Sequence, residues 1–164
     1  EEILNEMMGR FENREEVYFL QGALHEKQRQ YDDAEAAFRM ALDINAENPA
    51  VLNYLGYMLA NNNNKLEEAL AMIEVAVAAD PINGAYLDSL GWAYYRLNEL
   101  ELAEHYLERA VIFSPKDPNL HEHLGDLYLL MGRSGEAQTS YQRSLELGED
   151  PEEREVVQEK LNGL

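Results

Sequence analysis

Residues 87–115 read LDSLGWAYYRLNELELAEHYLERAVIFSP. Leu87, Leu90, Gly91 and Tyr94 fall at spacings of 3, 1 and 3, which sets them on one face of a helix. Ala103, Leu107 and Ala110 make a second such face, and Pro115 stops the run. The pattern then recurs along the chain. Glycines stand at Gly22, Gly56, Gly91 and Gly125, spaced 34, 35 and 34. Alanines stand at Ala34, Ala69, Ala103 and Ala137, spaced 35, 34 and 34. Ala41, Ala76, Ala110 and Ser144 keep the same spacings, and Phe38, Ile73, Leu107 and Tyr141 lie between those two series. Four columns in one register define a repeat of about 34 residues, two helices each.

Small residues recur where two helix backbones must approach closely. Asn48-Pro49, Asp117-Pro118 and Asp150-Pro151 open helices: the first residue caps free amides and proline has none to lose. The spacing predicts helix pairs at 15–28/31–44, 49–61/65–79, 84–97/100–113 and 118–131/134–147. The extra residue of the second repeat falls in "NNNNK", Asn61 to Lys65, which reads as a lengthened turn because asparagine tolerates left-handed backbone.

With L-x-x-L-G-x-x-Y, A-x-x-x-L-x-x-A and the closing proline, the chain resembles the tetratricopeptide repeat (TPR) family over residues 13–150. The resemblance implies an all-α, right-handed TPR solenoid of four helix-turn-helix repeats, with a partial N-terminal helix and a C-terminal capping helix. The domain is expected to run over 1–164: the end of a preceding repeat at 1–12, repeats at 15–48, 49–83, 84–117 and 118–150, and the cap at 151–164. In 1–9, Leu4 and Met7 stand where a preceding repeat would place core residues; in the cap, Val156, Val157 and Leu161 form the apolar side. The chain opens on Glu1 without a methionine and is read as a piece of a longer one.

In this family the first helix of each repeat lines the concave groove, one residue past the core stripe. That places Phe19, Asn53, Tyr57, Asp88, Trp92, Tyr95, Arg96, Glu122 and Asp126 on the groove as partner-binding residues. Trp92 is the one tryptophan, and Tyr57 holds the equivalent place a repeat earlier. Rigid aromatics on an open surface suit partner hot spots. Trp92→Ala is accordingly expected to weaken partner capture with helical content and melting nearly unchanged; loss of folding would assign the ring to the core. The TPR subgroup that clamps a peptide carboxylate uses paired Lys/Arg and Asn. Only Asn53 matches it; Phe19, Asp88 and Glu122 stand where clamp residues would be.

Composition narrows the partner. There are 32 acidic and 13 basic side chains, a net charge of −19. Such a chain repels phosphate backbones and anionic lipid, so the expectation is no nucleic acid and no direct membrane insertion. A protein or peptide with apolar anchors and some basic character fits better. There is no cysteine, hence no disulfide or thiolate chemistry.

His121 and His123 point about 200° apart on a helix and cannot share one ion, and His123 with Asp126 offers too few ligands, so no metal is expected. His121 reads as a satisfied core histidine. No catalytic or phosphate-binding motif occurs, so no cofactor and no enzyme activity are expected.

The function implied is a protein–protein interaction scaffold or adaptor. The alternatives are a self-assembly or structural module, giving a homo-oligomer, and a regulatory segment of a larger enzyme. The run from Leu52 to Leu97 and that from Asp117 to Arg133 resemble bacterial TPR proteins of the cell envelope, some of them lipoprotein adaptors, including for a carboxyl-terminal processing protease. That resemblance favours the bacterial cell envelope or periplasm over the cytoplasm.

Overall fold

The computed structural model describes residues 14–164, and they hold nine helices and no strand. The helices are α1 (Arg14–Lys27), α2 (Tyr31–Ile44), α3 (Pro49–Asn61), α4 (Leu66–Ala79), α5 (Gly84–Arg96), α6 (Leu100–Phe113), α7 (Pro118–Leu130), α8 (Ser134–Leu147) and α9 (Pro151–Asn162). The eight paired helices match the spacing-derived ones to within a residue or two. The expectation for Leu4 and Met7 lies outside the described residues. The chain divides into two compact units, one ending at Ala79 and one beginning at Asp80.

The first unit packs α1 on α2 and α3 on α4. Its glycine column works by proximity. A Cβ on Gly22 would lie 2.6 Å from the Phe38 ring, and one on Gly56 would lie 2.6 Å from Ile73 Cγ1. Both large partners are fully buried. Helix-to-helix approach is thus set by glycine on one helix and a bulky side chain on the next. Asn48 caps α3 by accepting from the Ala50 and Val51 amides at 2.9 and 3.2 Å.

The second unit packs α5 on α6 and α7 on α8, with α9 against α8. Gly91 meets Leu107 and Gly125 meets Tyr141 in the same manner. Its core joins Leu107, Leu124, Leu127, Tyr128, Tyr141 and Val157, with Leu161 packed against them. Val156, expected beside them, is exposed instead, because Val157 takes the inward place. Asp117 and Asp150 cap α7 and α9 as their Asx-Pro pairs imply. Asn83 caps α5 in the same register, accepting from Ala85 and Tyr86.

Each pair turns through one left-handed residue: Arg29, Asn63, Asn98 and Gly132 have φ of 59°, 53°, 61° and 74°. In each, the next amide bonds the carbonyl five residues back, at 2.8 to 3.0 Å, a helix-ending pattern of the Schellman type. The second repeat adds Lys65 at φ 50°, so the asparagine run is a turn lengthened by one residue. The Lys65 Nζ sits 2.5 Å from Glu35, tying that turn to α2.

Candidate functional site

The expected groove residues fall in both units. In the first, Phe19 on α1 is half-buried, its ring edge-on to Tyr54 of α3 at 5.1 Å and tilted against Phe38 of α2 at 5.9 Å. Asn53 on α3 is buried, and its Oδ1 accepts no hydrogen bond among the described residues. Tyr57, one turn on, is half-buried. Glu15, Glu16, Phe19, Asn48, Ala50 and Val51 line an open cleft of about 220 Å³.

In the second unit the structure joins five of the nine into one network. Trp92 of α5 is 7% exposed. Tyr95, one turn on, stacks with it at 4.6 Å between ring centres, and His123 of α7 stacks with it at 4.2 Å, the planes 14° and 20° apart. The indole is therefore not held out over an open trough, as the stripe position alone predicted. The following repeat's first helix places an imidazole on it, and that contact buries the ring.

His123 is itself buried, and its Nδ1 donates to both carboxylate oxygens of Asp88, at 2.8 and 3.0 Å. Burial disfavours the imidazolium. The Asp88 carboxylate, with Glu122 and Asp126 further off, outweighs burial and raises His123 above its ordinary 6.5. Asp88 is thus an internal ion-pair partner and not a free acidic groove charge.

The other two acids are also met from within. Lys160 of α9 reaches Glu122 Oε1 and Asp126 Oδ2, each at 2.7 Å. The buried Tyr141 donates its hydroxyl to Asp126 Oδ1 at 2.8 Å. Burial opposes the Lys160 charge, but these two carboxylates hold its pKa above the ordinary value. Tyr95 is raised by burial and by the Asp126 charge, against Lys160 and Arg96.

What remains open to solvent lies at the ends of the two first helices. Tyr95 and Arg96 close α5 half-exposed. Leu129 and Leu130, their equivalents on α7, are 43% and 51% exposed. His121 is a satisfied core histidine, its Nε2 3.1 Å from the Pro115 carbonyl. His123 and Lys160 lie outside the expected groove set, yet they are the partners of its acids. The signal was present: Asp88 and His123 are 35 residues apart, one repeat plus one position, so adjacent first helices bring them together.

Paired antiparallel helices with glycine-to-bulky contacts and a polar-aromatic network between successive first helices define a helical repeat protein. The tetratricopeptide repeat signature matches residues 19–83, 59–118 and 120–155, and the chain belongs to that family. It is 34% identical over 110 residues to the TPR repeat-containing protein PA4667 of Pseudomonas aeruginosa, a match over 67% of this chain and 18% of that protein. The chain therefore spans less than a fifth of that relative's length.

Among solved structures, PilW, described as a widely conserved type IV pilus biogenesis factor, superposes with a TM-score of 0.77 at 22% identity, over 87% of this chain and 66% of PilW. PilF of Pseudomonas aeruginosa gives 0.73 at 18%, over 96% and 72%. MamA of Desulfovibrio magneticus gives 0.71 at 24%, over 88% and 81%. These likenesses establish the fold, an all-α TPR solenoid. Among the described residues, no helix is long and apolar enough to cross a membrane.

Proposed function

We propose that the chain is a non-catalytic adaptor that docks a protein partner on the first helices of its repeats. The observation that carries this is the exposure of Leu129 and Leu130 at the end of α7, 43% and 51%, with the half-buried Tyr95 and Arg96 at the equivalent places on α5. Two consecutive solvent-facing leucines, with an aromatic and an arginine at the equivalent places one repeat earlier, have the make-up of an interface centre. Beneath them Trp92, His123 and Asp88 form a rigid support. A surface held in place by packing leaves the partner to bear most of the ordering cost.

In the first unit, taken by itself, Phe19 and Tyr57, both half-buried, are the proposed partner contacts beside the buried Asn53. The partner offers apolar anchors. Its basic character answers the chain's overall −19 at long range, since Asp88 is met by His123 and Glu122 and Asp126 share Lys160. The likeness to a pilus biogenesis factor supports work in the bacterial envelope.

Leu130→Glu is expected to lower recovery of the captured partner by about tenfold, a loss of ~1.4 kcal/mol, with an unchanged helical spectrum. Gln142→Glu, on the exposed side of α8, serves as the control and leaves recovery unchanged. Equal recovery with Leu130→Glu and wild type refutes the assignment.

A further inference from the structure

We propose that His123, Asp88 and Trp92 form a proton-operated clasp between α5 and α7, closed by the imidazolium and loosened when its proton leaves. The three side chains come from two helices, and all are buried. The Nδ1–H bridges both oxygens of Asp88, and the same ring lies stacked on the indole at 4.2 Å. A cation over a tryptophan face is attracted by the ring's quadrupole, more strongly where water is excluded. Deprotonation keeps an N–H donor for Asp88 but removes both the charge attraction and the cation–π contact.

The surroundings favour the charged form. From α5, Asp88 faces the imidazole, with the Tyr95 hydroxyl further along. From its own helix come Glu122 and Asp126. Lys160 of α9 and the Tyr141 hydroxyl of α8 bind those two acids and moderate them. From α6, Glu104 and Glu108 turn instead to Arg133 and Tyr128. A group raised above its unfolded value of 6.5 adds stability that is complete below that pH. The contribution is lost as pH rises through the higher folded value. The clasp is therefore closed below pH 6.5 and loosens as pH rises through the folded value above it.

Trp92 is the sole tryptophan, so it reports on the clasp directly. A stacked imidazolium quenches indole emission by accepting an electron from the excited ring; neutral imidazole quenches far less. In the wild-type chain, emission is expected to rise in one step with a midpoint above pH 6.5. Asp88→Asn lowers that midpoint by more than about one pH unit, and His123→Gln abolishes the step. Imidazole carbon shifts of wild-type His123, followed by NMR, give the same midpoint without any substitution. Amide protection in α7, taken relative to the intrinsic exchange rate at each pH, falls above it.

A midpoint at or below 6.5, a step that survives His123→Gln, or an imidazole that titrates apart from the emission change would each overturn the clasp. The titration is made on the free chain, so its failure is distinct from failure of the docking assignment.

Discussion

Trp92→Ala is expected to lower the unfolding free energy by about 3–5 kcal/mol, against the near-unchanged melting that the groove position alone implied. The ring is 7% exposed and stacked with Tyr95 and His123. Truncation removes the transfer free energy of a large aromatic and leaves a cavity that two helices cannot both collapse into. It also strips the stacking partner from the buried His123 ring. For a chain of this size the loss corresponds to a fall in Tm of roughly 6–20 °C. Urea unfolding followed by circular dichroism checks it, since the substitution removes the fluorophore. A loss under about 1 kcal/mol, the range of an exposed site, would return the ring to the surface.

Gly125→Ala and Gly135→Ala are expected to have opposite signs. Both exchange glycine for the best helix former, which by itself gains up to ~1 kcal/mol. At Gly125 the added Cβ would lie 2.4 Å from Tyr141 Cε1 and 2.5 Å from Cδ1. That ring is fully buried and its hydroxyl is anchored on Asp126, so it has no rotamer to retreat into. Overpacking of this kind costs roughly 1–3 kcal/mol or more, and the anchor puts it at the upper end, for a net loss of about 2 kcal/mol. At Gly135 nothing lies within 4 Å of the new methyl, and the net is a gain of about 0.4–1 kcal/mol. Denaturation midpoints of the two variants decide it. Two changes of the same sign would mean that the glycine column does not set the helix spacing.

The glycine column was legible in the sequence because each glycine and its bulky partner sit in the same repeat, 16 or 17 residues apart. The caps were legible where proline follows the Asx residue; Asn83 does the same work but precedes Gly84 and carries no such flag. Asp88, Trp92, Tyr95, Glu122 and Asp126 share the first-helix stripe in the sequence, and in the structure they sit on α5 and α7 with His123 and Lys160 among them.

How far each of those is exposed was not legible. Exposure depends on what the next helix sets beside it: an imidazole beside Trp92, an ammonium from α9 beside Glu122 and Asp126. Column statistics treat equivalent positions as alike. His123 differs from its equivalents Ser89 and Tyr54, and its ring joins Tyr95 in covering the indole. Charge reading had the same weakness. Acids counted as groove charges are neutralised by residues one repeat or more away, and the apolar ends, Leu129 and Leu130, are what stays uncovered.

The docking assignment places partners on the open ends of α5 and α7 and not on the outer helices. A photo-crosslinking side chain placed at position 130, and separately at position 142 on exposed α8, tests it most directly. Irradiation with the captured partner present is predicted to give a covalent adduct from position 130 and none from position 142. Adducts from position 142 alone, or equally from both, would contradict it.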